Sequence, residues 1–261
     1  MNQLKKLVFT ALFLSSFEVS SQEDPKEPLI TDRPDATESP STVPVGYLQV
    51  ETGSFYTKNN TNSIKSEQFT YNTSLLRLGL LNNVELRLGW DFVENKFENT
   101  NAVLSGFNPL LLGTKLAIAK ENNGWPEVGF VGHVYLPFLA GNDYKPETTG
   151  VDFRFSFAHT LNEKSSLSYN LGMAWGDDSP EASYIYTLSY GRSLTNALGF
   201  YAELYGNLPE NSASNHYWDL GFTYLLSDNV QLDATVGSGI TDGQDLLLSG
   251  GVSFRIPTGK K

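Results

Sequence analysis

From Gly150 to Leu161 the chain alternates. Val151, Phe153, Phe155, Phe157, His159 and Leu161 fall on one side, and Asp152, Arg154, Ser156, Ala158 and Thr160 on the other. A period of two marks an extended strand with one apolar and one polar face. The pattern recurs: Val84, Leu86, Leu88, Trp90 and Phe92 oppose Glu85, Arg87, Gly89 and Asp91, and Trp218, Leu220, Phe222, Tyr224 and Leu226 oppose Tyr217, Asp219, Gly221 and Thr223. Similar runs cover 128–136, 167–175 and 246–256, with weaker ones at 46–58, 68–81, 110–120, 182–191, 198–208 and 230–241. Together they predict about twelve strands of roughly ten residues, the length a tilted membrane strand needs.

The connections fall into two classes. "LLNNVEL" (80–86), "KENNGWPEV" (120–128), "TLNEKSSL" (160–167), "SLTNALGF" (193–200) and "LLSDNVQL" (225–232) are tight polar turns between alternating runs, as hairpin tips are. The intervening connections, 59–67, 94–109, 137–149, 176–181 and 209–215, are generally longer, and only "TDGQD" (241–245) is short. Short turns alternating with longer loops along a meander predict an outer-membrane barrel, with the short turns periplasmic. A soluble sandwich accounts for the alternation but not for the two loop classes. The polar faces hold many of the 23 glycines, which suits a confined, curved interior better than a solvated sheet. Trp90, Trp175, Trp218, Tyr184, Tyr186 and Tyr190 lie near strand ends on the apolar face, where interface girdles belong. The expected fold is therefore all-β: a transmembrane antiparallel up-and-down barrel whose phenylalanines at 150–161 face lipid while Asp152 and Arg154 face inward.

Composition narrows the compartment. Lys5 and Lys6, an apolar run from Leu7 to Leu14 and a small polar end near Ser21–Gln22 read as a secretory signal peptide over 1–22. No later segment has the ~20 continuous apolar residues of a membrane helix. A formal net charge of -11 argues against nucleic acid as a partner. The absence of cysteine excludes a disulfide framework, thiolate metal sites and a lipid-modified N-terminal cysteine. The expected organisation is signal peptide 1–22, a Pro-rich charged segment 23–45, barrel 46–257 and tail 258–261. The expected location is the outer membrane of a Gram-negative bacterium, among its lipids, lipopolysaccharide and assembly machinery.

Segment 23–45 holds Pro25, Pro28, Pro34, Pro40 and Pro44 among charges, and is neither helix nor central strand. One reading is a disordered periplasmic tether. The other is a lumen plug in which Asp32, Arg33, Asp35 and Glu38 enter the barrel, the acids pairing with inward-facing Arg77, Arg87, Lys115, Arg154 or Arg255. The run "ITDRPDATESPSTVPVGYLQVETG" (30–53) resembles the outer-membrane family named for a MetA pathway of phenol degradation. That resemblance implies a barrel passing small organic molecules, aromatic ones among them, without making phenol the solute. Outer-membrane barrels commonly end on an aromatic residue, whereas this chain ends "FRIPTGKK".

The expected lumen lining mixes Glu85, Glu127, Asp152, Glu203, Asp219 and Asp233 (with Glu51) against Arg77, Arg87, Lys115, Arg154 and Arg255, and adds the aromatic surface of Tyr135, Tyr201 and Tyr205. Mixed signs suggest internal salt bridges rather than strong ion selectivity. His133 is expected inward, His159 outward and His216 at the outer end of a strand, with no G-x-S-x-G nucleophile context, so an enzyme, specifically a lipid hydrolase, is the least favoured class. No cofactor or metal spacing stands out; the acidic loops "GDDSPE" (176–181) and "TDGQD" read as solvated surface. The leading function is passage of small organic solutes, with a closed structural or surface-interaction barrel as the alternative.

Overall fold

A computed structural model describes residues 27–61, 63–176 and 180–259; the expected signal peptide over 1–22 lies outside the described residues. The strands are β1 (Tyr47–Thr61), β2 (Ile64–Leu81), β3 (Val84–Phe97), β4 (Val103–Phe107), β5 (Leu110–Ala119), β6 (Glu127–Leu136), β7 (Gly150–Asn162), β8 (Ser165–Trp175), β9 (Ser183–Ser193), β10 (Leu198–Pro209), β11 (Asn215–Ser227), β12 (Val230–Gly239) and β13 (Gly243–Pro257). Each pairs antiparallel with its neighbours, and β1 closes the sheet on β13 from Tyr47↔Pro257 to Asn60↔Gly243. Closure leaves no edge where the sheet spans the membrane, as it must there; β4, whose strand partner is β3, carries the sheet further only on that side.

The thirteen strands make twelve staves. β4 pairs with the outer part of β3 (Phe92↔Phe107 to Lys96↔Val103) and β5 with its inner part (Gly89↔Leu111 to Val84↔Leu116), so the two form one stave broken at Asn108–Pro109. Pro109 has no N–H to give to the ladder, and the break falls there. The region 94–109 is thus not simply the long connection expected from its polarity. Nor is 59–67: β1 and β2 stay paired out to Thr61↔Ile64, and the loop shrinks to a hairpin tip. Asn59, Asn60, Lys65 and Ser66 look like loop residues, but once a strand leaves the hydrocarbon its ladder continues without an apolar face.

The packing is that of a soluble protein turned inside out. The most deeply buried large side chains are Arg77, Lys115, Gln49, Glu51 and Glu85. Leu86, Phe155, Leu171, Leu188, Leu204, Phe222 and Leu248 are exposed on the outer face. An apolar girdle of this extent is unsustainable in water and is satisfied by lipid. Near the outer rim a ladder of rings runs Tyr56, Phe69, Tyr71, Phe92, Phe107, with successive centroids 4.7, 5.8, 6.3 and 5.2 Å apart. Lys96 lies over Phe69 at 5.3 Å. Such amphipathic surfaces belong at the boundary between acyl chains and water.

Candidate functional site: the lumen and its N-terminal segment

Residues 27–46 enter the lumen from the short-turn end and return to it. At the start, Leu29 N–H donates to the Asp228 carbonyl and Arg255 Nη2 to the Glu27 carbonyl. At the end, Gly46 N–H donates to the Gly79 carbonyl and Thr258 N–H to Gly46. Four prolines (Pro28, Pro34, Pro40 and Pro44) keep the segment extended and short of donors, and its backbone is satisfied largely by wall side chains. The Arg33–Pro34 peptide bond is cis.

On one side the segment meets cations on β2, β3 and β5. Strand alternation turns Arg77, Arg87 and Lys115 inward, and all three are buried. The Asp32 carboxylate sits among them, 3.1 Å from Arg77 Nη1, 3.0 Å from Arg87 Nη1 and 2.7 Å from Lys115 Nζ. The Glu38 carboxylate accepts from both Arg87 terminal nitrogens at 2.8 and 3.0 Å and lies 3.1 Å from Lys115 Nζ. Burial opposes the charge on Glu38, yet the Arg87 guanidinium and Lys115 ammonium hold its carboxyl well below the usual range. Wall carboxylates grip the segment's backbone. Glu51 accepts from the N–H groups of Asp32 and Arg33 at 3.0 and 3.1 Å, and Glu85 from Val43 N–H at 2.9 Å. Both also take Arg77 at 2.7 Å. Buried charges persist only when paired and hydrogen-bonded in this way.

On the opposite side the segment meets β8, β9, β10 and β12. Arg33 forms a two-pronged contact with Asp233, Nη2 to Oδ1 at 2.9 Å and Nε to Oδ2 at 3.2 Å. Its guanidinium occupies a slot between Gly53 and Gly251, which face each other in the β1–β13 ladder. A Cβ on either would approach Arg33 to within 2.6 Å or 2.5 Å respectively, so no larger residue fits there. Glu203 accepts from Ala36 N–H at 2.7 Å and from the Thr37 hydroxyl, which also contacts Thr187 at 2.7 Å. Asn170 and Glu38 exchange hydrogen bonds: Glu38 N–H to Oδ1 at 2.7 Å, and Nδ2 to the Glu38 carbonyl at 2.9 Å. The segment therefore bridges the lumen from wall to wall.

Two of the expected pairings take another form. Asp35 meets no base among the described residues; its carboxylate accepts from the Ser189 hydroxyl at 2.9 Å, and burial with Glu203 nearby pushes its carboxyl well above the usual range. Arg154 holds the Ala36 carbonyl at 3.2 Å, and Arg255 the Glu27 carbonyl at 2.9 Å. Among the remaining expected residues, Glu127 accepts from Ser41 at 3.4 Å, and Asp152 is shared by His133 Nδ1 at 2.9 Å and the Tyr135 hydroxyl at 2.7 Å. The Tyr201 hydroxyl contacts Thr235 at 2.7 Å, Tyr205 stacks on Tyr217 at 5.1 Å, and Asp219 is buried beside Glu203 in the β10–β11 ladder. His216 bonds Tyr186 and His159 stacks on Tyr169, which leaves both on the outer surface.

Sequence reasoning missed Gln49 and Asn170 as contacts of the segment; their place on the polar faces was the available signal. Gln49 is fully buried and donates to the Ile30 carbonyl at 2.8 Å. It also missed the apolar residues that turn inward, Leu75, Leu111 and Val131, because a run such as "PLLLG" has no period to read.

Two cavities flank the segment. The outer one, about 570 Å³, reaches down to Glu38 and Arg87 and is walled by Leu75, Leu111, His133, Arg154 and Ile185 among others. The inner one, about 510 Å³, lies between segment residues 29–35 and the turn end of β7–β10.

A closed barrel with an apolar outer girdle and a charged, internally occupied lumen is a transmembrane protein of the Gram-negative outer membrane. The chain belongs to the family described as "Putative MetA-pathway of phenol degradation", whose model matches residues 31–256. Its fold is similar to the COG4313 outer membrane channel from Pseudomonas putida F1, with a TM-score of 0.65 and 15% identity over 83% of this chain and 98% of that one. It is also similar to the KdgM porin (TM-score 0.53, 8% identity, 78% of this chain and 98% of that one) and to a deletion mutant of the TodX monoaromatic hydrocarbon channel (0.50, 8%, 84% and 93%). No curated protein matches the chain.

Proposed function

We propose that the protein conducts small organic molecules across the outer membrane through its lumen, and that segment 27–45 is the constriction they must pass. The observation that carries this reading is the pair of cavities, about 570 and 510 Å³, on opposite sides of a segment held by side chains rather than woven into the sheet. A filler needed only for stability has no reason to leave space of solute size on both sides. Channels and porins of similar fold, one of them named for monoaromatic hydrocarbons, support the same reading. In it, Arg77, Arg87, Lys115 and Asp233 anchor the segment, Glu51, Glu85 and Glu203 cap its backbone, and Arg154, Asp152, His133 and Tyr135 line the outer vestibule. The role is a conduit, not a catalyst.

Liposome swelling with a graded series of sugars and aromatic alcohols tests this. Vesicles holding the protein should admit the smaller solutes, and admit larger ones once residues 27–45 are deleted. A purely structural barrel admits none in either form.

A further inference from the structure

Among the described residues, two of the three cations at the lumen's centre draw their closest carboxylate partners from the segment rather than from the wall. Arg77 is taken up by the wall, 2.7 Å from both Glu51 and Glu85. Lys115 is different: its carboxylate partners within 4 Å are Asp32 and Glu38, both from the segment. Arg87 has the same two, and its nearest wall acid, Glu85, is 3.7 Å away. Its Nε has no hydrogen-bond partner among the described residues, although the side chain is buried. Arg87 and Lys115 thus form a receptor for carboxylates, and in the seated state the chain supplies the ligands itself.

This receptor opens on solute-accessible space. Glu38 and Arg87 lie at the floor of the outer cavity, and Leu75, Leu111, Trp90 and Ile185 are among its walls. Of the cavity's acids, Asp152 is committed to His133 and Tyr135, and Asp91 sits four residues further out along β3. A solute arriving from outside finds apolar wall for its body and, at the bottom, a guanidinium and an ammonium held by displaceable carboxylates.

We propose that the solute is a small organic carboxylate with an apolar body, and that its carboxylate replaces Glu38 and then Asp32 on Arg87 and Lys115, unseating the segment. The inference rests on the conduit reading above and assigns its substrate class. The first exchange conserves charge: the Glu38 carboxylate leaves the two cations as the solute's arrives. A neutral or cationic solute of the same shape has nothing to exchange. Binding to the unseated state alone shifts the population by the solute's differential affinity for it.

The test is single-channel recording of the full mature chain in planar bilayers, with benzoate, benzamide or benzylamine added on the loop side at equal concentration. Benzoate should raise open probability roughly tenfold over benzamide or benzylamine. In the D32N/E38Q variant, whose native barrel is verified by its heat-modifiable band, the channel should be open without solute and the benzoate-to-benzamide ratio should fall to about one. Equal responses to the three probes in the wild type overturn the carboxylate assignment while leaving the conduit intact. A folded D32N/E38Q barrel that stays closed overturns the carboxylate-exchange gate, whereas a barrel that stays closed even without residues 27–45 overturns the conduit reading itself.

Discussion

Arg33 and Asp233 stand 200 residues apart in sequence and meet through two hydrogen bonds at 2.9 and 3.2 Å. Their side chains are 9% and 0% exposed. The pair ties the start of the chain to the penultimate strand, across a lumen that the segment would otherwise leave free. Removing one partner of a buried pair strands the other, at a cost of about 3–5 kcal/mol. Arg33→Ala should therefore shift the segment toward release, and protease cleavage within 27–45 in detergent should accelerate at least tenfold while the barrel stays intact. Unchanged cleavage would mean that this pair does not hold the segment.

The slot for Arg33 exists because two facing residues, Gly53 and Gly251, lack a Cβ. Gly251→Val fills the slot without touching any charge. It should mimic Arg33→Ala in accelerating cleavage within 27–45, and the double variant should add little, since both changes act on one contact. Additive effects would show that Gly251 matters for the sheet rather than for the segment.

Seating should depend on pH in a definite direction. The seated Asp35 carboxyl titrates well above its usual range because it is buried and lies near Glu203. A group whose pKa is raised in one state favours that state at low pH and disfavours it as pH rises through the raised value. Open probability should therefore increase as pH rises, and Asp35→Asn should flatten that rise. Glu38 works in the other sense: buried but held low by Arg87 and then Lys115, it favours seating above its ordinary pKa of about 4.3 and loses that effect only in strong acid. A channel that closes as pH rises from neutrality contradicts the assignment to Asp35.

The outer face predicts a folding phenotype. Phe155 is mid-strand and 41% exposed, in contact with Phe130 at 5.2 Å between ring centroids. Phe155→Arg places a charge in hydrocarbon and should destabilise the barrel by about 2–4 kcal/mol in a lipid refolding titration. The conservative Phe155→Leu should cost far less. If Arg is tolerated as well as Leu, the face does not touch lipid.

Much of this architecture was legible in the sequence because a two-residue period survives wherever apolar and polar residues strictly alternate. Val84–Phe92 and Gly150–Leu161 read correctly, and with them the inward turn of Arg87, Asp152 and Arg154. The period fails in leucine runs and at register shifts such as that between Thr70 and Asn72, which is why Leu75 and Leu111 inside the lumen were not anticipated. Strand length beyond the membrane was illegible too, since the outer ends of β1 and β2 are polar on both faces. The particular partners of the segment were the least readable feature. Alternation shows that Lys115 and Arg255 point inward, but whether Asp32 reaches one or the other depends on how deep an irregular, Pro-rich chain penetrates, and no local pattern encodes that depth.

The account turns on whether residues 27–45 restrict the lumen. Single-channel conductance of the chain lacking them, measured beside the intact protein after both show the heat-modifiable band of a folded barrel, asks this most directly. The larger, long-lived conductance of an unobstructed lumen is the expected result; identical conductance with and without the segment would contradict it.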